Sequence, residues 1–505
     1  MSLGTGTIIF AAATFLSRIT GLLRDMSFTY VFGISSQYDA YLIAILIPFF
    51  LRKIFAEGAM QLAFVPMFNE NMEFKDQKSI LSKKSSEFAS TIITLMSILT
   101  IVTTIFGITF SQSIANGFSG SYDPEVIQLT SLLIKITFPF VMLISLWAIY
   151  YSILNSFKYF FIPALSPLII NLSTITGIFL SKYLNPAILG PTIGFITGGL
   201  LQLILLVLYT RKKVKYRYRI SFNFSIIKKF LPFFLISSIT PAINQINSLI
   251  DVKVGTDLGV GVVSSLQVAM RLYQLPLGIF GVAAATVAFP KISELISKKK
   301  MKEAGNVIWE ATGTMFFYVI PSTIALFLLG KDIIVLLFER GKFTPADTLN
   351  VNIILMGFAA GLIFYSGYNV LSKSFFAEKK PLIPTLVSFL MVGTNIALDI
   401  ILGYAIGPVG IALATSIAGA VGFVIVLIIN LKRFKIEKSL VYQIIKISIC
   451  SSIIGIYMYL FKSYVLNNSI GLILNILSSI IIYLIISGLF KVKDVKGFMN
   501  KIIRR

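Results

Sequence analysis

The amino-acid sequence predicts an all-α integral membrane protein with about 14 transmembrane helices. Of its 505 residues, 56% are hydrophobic and only 13% are charged, whereas about a quarter of the residues in soluble domains are charged. Apolar windows of roughly 20 residues, the length that one spanning helix needs, recur along the whole chain. The segments between them are short, so the chain has no room for a sizeable soluble domain.

Fourteen candidate helices follow one another, separated by glycine, proline and charged residues. The first is not a cleavable signal sequence, because Arg18, Arg24 and Asp25 interrupt its apolar stretch and no small-residue cleavage site follows. In the eighth, Pro276 and Gly278 are expected to interrupt the helix. The helices are predicted to begin near residues 7, 38, 88, 126, 160, 187, 226, 258, 305, 347, 381, 408, 440 and 469.

The formal charge of +23 is predicted to report membrane topology rather than nucleic-acid binding. Most of the 44 Lys and Arg residues fall in loops on one side of the predicted membrane, including those at 211–219, 298–302 and 432–438. The positive-inside rule assigns that side to the cytoplasm, so both termini are expected there, with an even number of crossings. Anionic lipid headgroups are a second expected partner of these basic runs.

A faint internal repeat divides the predicted helices into two six-helix lobes. Residues 15–20 (FLSRIT) in helix one correspond to residues 235–240 (LISSIT) in helix seven, and helices two and eight both reach a proline before a Lys-rich loop. Parallel repeats of this kind are typical of transporters. The predicted divisions are 1–215 for the first lobe, 216–436 for the second, and 437–505 for two added helices and a basic tail.

Missing residue types exclude several classes of enzyme. The chain has no histidine, which removes Ser-His and Cys-His nucleophile pairs, HExxH zinc hydrolysis and histidine-ligated haem. The single cysteine, Cys450, excludes intrachain disulfides and cysteine metal clusters. We therefore expect neither enzyme activity nor an organic cofactor.

Charged residues within the predicted spans are the candidate functional residues, since an Arg or Asp at the bilayer centre costs roughly 2.5 to 3.5 kcal/mol. A guanidinium group stays charged at any working pH, and its planar fork matches phosphate oxygens. Any single arginine could instead snorkel or form a structural ion pair, but the set predicts a phosphate or diphosphate site in a central cationic cavity. The candidate binding residues are Arg18, Arg24, Asp25, Asp39, Arg52, Glu57 and Arg271.

A second, acidic group of residues predicts a cation site. Asn395 and Asp399 are four residues apart and share one face of helix eleven, Asp251 lies on helix seven, and Thr415 lies on helix twelve. Their hard oxygen ligands suit Na⁺, which is the first choice because no histidine is present to relay protons. A proton shared by Asp251 and Asp399, or hydrogen bonding between helices without an ion, are the alternatives.

Distinctive motifs recur along the chain, at residues 17–25, 32–33, 39–40, 51–59, 63–66, 271–278, 280–283 and 338–343. Together these motifs resemble the MurJ/MviN family of lipid II flippases. The resemblance covers essentially the whole chain and is strongest in helices one, two and eight. It implies the fold of the multidrug/oligosaccharidyl-lipid/polysaccharide exporters, and movement of undecaprenyl-diphosphate-linked peptidoglycan precursor from the inner to the outer leaflet.

The resemblance also implies roles for individual residues. Positions matching Arg18, Arg24, Arg52 and Arg271 line the central cavity in that family, and the position matching Asp39 is important for function. Met270 departs from the family, in which many members have an acidic residue before this arginine. The diphosphate head is expected in the cavity while the polyprenyl tail stays in lipid, entering between helices one and eight during alternating access.

The resemblance further implies lipid II and membrane lipids as partners, with no nucleic acid, and a monomer in the bacterial inner membrane. Two other functions are the alternatives: a polysaccharide-lipid or multidrug exporter of the same superfamily, and a membrane enzyme acting on a lipid diphosphate. A drug-cation exporter should line its cavity with acids and aromatics. An enzyme would need paired carboxylates in a cytoplasmic loop, and these loops are short and basic.

Overall fold

The computed structural model describes residues 3–55, 59–75, 78–464 and 469–493, and nearly all of these residues are helical. The predicted all-α class is confirmed. A small antiparallel hairpin of β1 (Glu73–Lys75) and β2 (Lys78–Ile80), which the apolar pattern did not predict, pairs Glu73 with Ile80. The chain divides into two compact units, Met1–Ser264 and Ser265–Arg505.

The first unit holds eleven of the described helices and the start of a twelfth. Small residues allow two of its helices, α9 and α10, to pack closely, because a Cβ at Gly177 would collide with the backbone of Gly190. The helices are α1 (Leu3–Phe32), α2 (Ser36–Phe55), α3 (Ala59–Glu70), α4 (Lys83–Thr109), α5 (Ser111–Ser119), α6 (Pro124–Thr137), α7 (Phe140–Ser156), α8 (Phe161–Leu165), α9 (Pro167–Leu180), α10 (Leu189–Lys213), α11 (Phe224–Asp257) and the start of α12 (Val262–Pro276).

Aromatic side chains fill the core of the first unit. Phe64 contacts both Phe68 and Phe88, with ring centroids 5.2 and 5.3 Å away. Phe230 of α11 packs edge-on against Phe88 at 6.3 Å. These contacts join α3, α4 and α11 and so fix the surroundings of α2, which packs against α11.

The second unit begins in α12, which passes into a π-helical turn, Leu277–Gly281. The regular α-helix ends at Pro276, as the sequence predicts, because proline has no backbone N–H to donate within the helix. The other helices are α13 (Val282–Ser297), α14 (Met301–Phe338), α15 (Pro345–Ala359), α16 (Leu362–Ala377), α17 (Leu382–Ile406), α18 (Pro408–Arg433), α19 (Lys438–Tyr464) and α20 (Ser469–Leu489).

Within the described residues, 11 helical segments are long and apolar enough to cross a membrane. Their starts lie close to eleven of the predicted starts. The other three predicted spans correspond to α1, α2 and α11, helices that carry charged residues such as Arg24, Asp39 and Asp251. The membrane class is confirmed, and the total of about 14 spans stays a prediction.

The compact units and the predicted lobes divide the chain at different places. The boundary between the compact units falls after Ser264 in the sequence, whereas the boundary between the predicted lobes falls after residue 215. The helix between these positions, α11, packs against α2 and α3 of the first unit. Lobes defined by an internal repeat need not coincide with units defined by packing, and the predicted lobe boundaries stay a prediction.

Candidate functional site

Three hydrogen bonds hold the side chain of Arg24, one of the predicted site residues, in place. Its Nε and Nη2 atoms donate to Oδ1 of Asp25 at 3.0 and 2.8 Å, and Nη1 donates to Oδ1 of Asn171 on α9 at 3.3 Å. The Asp25 side chain is only 2% exposed, whereas that of Arg24 is 17% exposed. Asp25 therefore anchors a guanidinium group that keeps an accessible edge.

Asn171 connects α9 to α1. The sequence patterns do not single it out as a site residue. Its Nδ2 atom donates to Oγ1 of Thr20 at 3.0 Å and to the carbonyl oxygen of Ser17 at 3.2 Å. One amide thus orients Arg24 and contacts the preceding helical turn. The available signal was an asparagine within an apolar span, since polar groups in membrane helices commonly bond to a neighbouring helix.

Arg18 and Arg52 also belong to the first unit, but their surroundings differ from those of Arg24. Arg18 is exposed on α1. Arg52 lies near the end of α2, with its guanidinium carbon 5.4 Å from the centre of the Phe49 ring, a cation–π arrangement. Ser238 of α11 donates to the carbonyl oxygen of Ile54 at 3.4 Å, which ties this end of α2 to α11. Glu57 lies outside the described residues.

Asp39 is fully buried and surrounded by protein donors. Its Oδ2 atom accepts from the Tyr122 hydroxyl at 2.8 Å and from the Gly261 backbone N–H at 2.5 Å. Its Oδ1 atom accepts from the Ser264 backbone N–H at 2.8 Å. Burial, then the nearby carboxylate, raise the pKa of Tyr122, so that its hydroxyl remains protonated and donates. This geometry fits a residue that holds the turn between α11 and α12.

Arg271 lies in the second unit, on α12, and is partly buried. It follows Met270 and precedes the π-helical turn that begins at Leu277. Its predicted contact with the substrate stays a prediction from the sequence.

Two of the predicted cation ligands are in direct contact. Asn395 and Asp399 are 1% and 0% exposed, and the Asn395 amide donates to Oδ2 of Asp399 at 2.5 Å. Oδ1 of Asn395 is buried without a hydrogen-bond partner among the described residues. A cation would supply such an oxygen with a partner, so the donor set is chemically suited to one.

The other two predicted ligands lie on different helices. Thr415 is buried on α18, which packs antiparallel to α17 because Gly410 lies against Leu402 and Gly422 against Met391. This register puts Thr415 level with the Asn395–Asp399 pair. Asp251 lies on α11 in the first unit. The described residues contain no group of three or more His, Cys, Asp or Glu residues that could hold a metal ion, so the cation site stays a prediction.

The apolar helices define a multi-pass membrane protein. A solved MATE-family multidrug resistance transporter of the MOP superfamily, in an inward-facing conformation, has the same fold. Its TM-score is 0.67 at 13% identity, over 84% of this chain and 97% of that one.

The chain belongs to the MurJ family, since the family model described as "Lipid II flippase MurJ" matches residues 28–479. The chain is 35% identical over 495 residues to a probable lipid II flippase MurJ of Thermotoga maritima, covering 98% of both chains. It is 38% identical over 500 residues to the lipid II flippase MurJ of Thermosipho africanus, covering 99% of both.

A solved structure titled "Lipid II flippase MurJ, inward closed conformation" has a TM-score of 0.84 and 38% identity, over 96% of this chain and 98% of that one. The resemblance inferred from the sequence is thereby confirmed over nearly the whole chain.

Proposed function

We propose that this protein moves lipid II, the undecaprenyl-diphosphate-linked peptidoglycan precursor, from the inner to the outer leaflet of a bacterial cytoplasmic membrane. The observation that carries the proposal is the Arg24 guanidinium, which Asp25 and Asn171 hold in place inside the first membrane helix. Such a preoriented fork matches a diphosphate, and the family membership supports the lipid-linked precursor as its source.

The charged residues of the first unit and Arg271 have three kinds of proposed role. Arg24 binds a diphosphate oxygen directly, and Arg18, Arg52 and Arg271 add positive charge around the head group. Asp25 positions Arg24, and Asp39 positions the α11–α12 turn. No bond of the substrate is broken in this scheme, so the protein is a transporter rather than an enzyme.

Alternating access would let the polar head cross the bilayer without entering hydrocarbon, while the polyprenyl tail remains in lipid. A membrane potential that is negative inside favours outward movement of the anionic head by roughly 2.3 kcal/mol per charge per 100 mV. Both termini are placed in the cytoplasm by the positive-inside rule, and a single chain is proposed to suffice.

The proposed function is tested by following labelled lipid II between leaflets in vesicles that contain only this protein. We expect movement with the wild-type protein and none above the protein-free rate with Arg24→Ala. A fluorescent drug cation in the same vesicles tests the exporter alternative. Drug movement without lipid II movement would replace the proposal with that alternative.

We further propose that Asn395, Asp399 and Thr415 of the second unit bind Na⁺. A bound cation would neutralise a buried carboxylate and stabilise one conformation over another. Purified wild-type protein is expected to unfold at a higher temperature in Na⁺ than in K⁺ or choline at equal ionic strength. Asp399→Ala should lose that difference. Equal unfolding temperatures in all three salts would refute the site.

A further inference from the structure

A basic cavity in the second unit lies apart from the residues assigned to transport. It has a volume of about 640 Å³ and is bounded by the first turn of α14 and by the connector between α18 and α19. Four of the lining side chains are cationic and one is a carboxylate. The polar and charged residues that line it are Lys302, Asn306, Arg433, Lys435, Glu437, Lys438 and Ser439.

Arg433 is a rigid part of the cavity wall. Its guanidinium forms an ion pair with Glu378 and lies over the rings of Phe375 and Phe434, 4.6 and 5.0 Å from their centres. Its Nη1 atom is buried and has no hydrogen-bond partner in the described part of the chain. A buried charged donor without an acceptor is costly, and an anion in the cavity would offset part of that cost.

Glu378 cannot balance the charge of the cavity. It also pairs with Lys380 at 3.2 Å, and the acidic residue of the lining, Glu437, accepts from Ser439 at 3.2 Å. Lys302, Lys435 and Lys438 are exposed. The cavity therefore keeps a positive potential that an anion would lower.

The connector that forms the cavity wall is fixed to α14. Trp309 donates from Nε1 to the carbonyl oxygen of Phe434 at 3.3 Å. Gly305 allows this approach, because a Cβ there would lie only 3.0 Å from Cβ of Phe434. The helix α14 begins without a side-chain cap at Lys300, so its first backbone N–H groups add to the favourable field for an anion.

We propose that this cavity binds the phosphate group of an anionic phospholipid from the cytoplasmic leaflet. The span α18 ends at Arg433 and α19 begins at Lys438, so the cavity lies at the boundary between hydrocarbon and water. Met301 lines the cavity and is 41% exposed, and Leu431 and Val441, 43% and 44% exposed, lie on the helix ends that flank the connector, where acyl chains would pack.

The test compares two triple variants of the purified full-length chain in lipid nanodiscs. Lys302→Gln/Lys435→Gln/Lys438→Gln removes cavity charges, whereas Lys83→Gln/Lys84→Gln/Lys228→Gln removes equal charge from exposed positions of the first unit that do not line the cavity. Binding of phosphatidylglycerol, against phosphatidylcholine, is measured by native mass spectrometry. We expect the cavity variant to bind phosphatidylglycerol about tenfold or more weakly, and the control variant to match wild type.

Equal binding by wild type and the cavity variant, or equal loss in both variants, would overturn the proposal. Inorganic phosphate is added in a parallel series to identify the source of the ligand. If phosphate displaces the lipid at matched concentration, the cavity binds a soluble anion and the lipid assignment is wrong. Arg433→Gln removes the fork itself, and the lysine variants keep the proposal testable if that protein does not fold. This site is independent of the proposed lipid II transport.

Discussion

Alanine at Arg24, Arg52 or Arg271 is expected to abolish growth of a strain that depends on this protein for its lipid II flippase activity. Each change removes a cation proposed to bind or surround the diphosphate, while the apolar spans that direct membrane insertion remain. Lysine at position 24 should restore growth only in part, because an ammonium group cannot donate through a planar fork. Growth is measured by complementation, with protein abundance in the membrane followed in parallel.

Two controls separate loss of binding from loss of folding. Arg24→Ala leaves the buried Asp25 carboxylate without this cation, so Arg24→Ala/Asp25→Asn should recover abundance but not growth. Neutralising Lys298, Lys299 and Lys300 should change topology or expression at most. Wild-type growth with all three alanine variants, at normal abundance, would refute the diphosphate site.

Asp39→Ala is expected to destabilise the first unit strongly and to abolish transport. The change leaves the backbone N–H groups of Gly261 and Ser264 without their acceptor, and leaves the Tyr122 hydroxyl with only the carbonyl oxygen of Gly259 at 3.3 Å. Each unpaired buried donor costs about 1–3 kcal/mol, so the loss should be on the order of 2 kcal/mol or more. Thermal unfolding of the purified protein measures it.

Tyr122→Phe is the matched control, because it removes one donor and leaves the carboxylate with the two backbone N–H groups. We expect a smaller loss of stability, near 1 kcal/mol, and transport close to wild type. If Asp39→Ala unfolds at the wild-type temperature but fails to transport, Asp39 contacts the substrate rather than holding the turn.

Much of the candidate site could be predicted from the sequence because its signals are local. A charge inside an apolar window identifies Arg24, Asp39 and Asp399 without knowledge of any neighbour, since the bilayer penalises each one by itself. The four-residue spacing of Asn395 and Asp399 likewise predicts their shared face, and the structure brings them into contact. Pro276 marks the end of a regular helix for the same local reason.

The sequence by itself determined the membrane class, most span positions and the family, since composition and apolar length decide these within one segment of chain. Only the tertiary structure decided which polar groups form hydrogen bonds with each other. Asn171 reaches Arg24 across 147 residues, and Ser264 reaches Asp39 across 225. These pairs depend on how separate helices pack. Helix packing is determined by side-chain shape and burial across the whole unit rather than by any local sequence pattern.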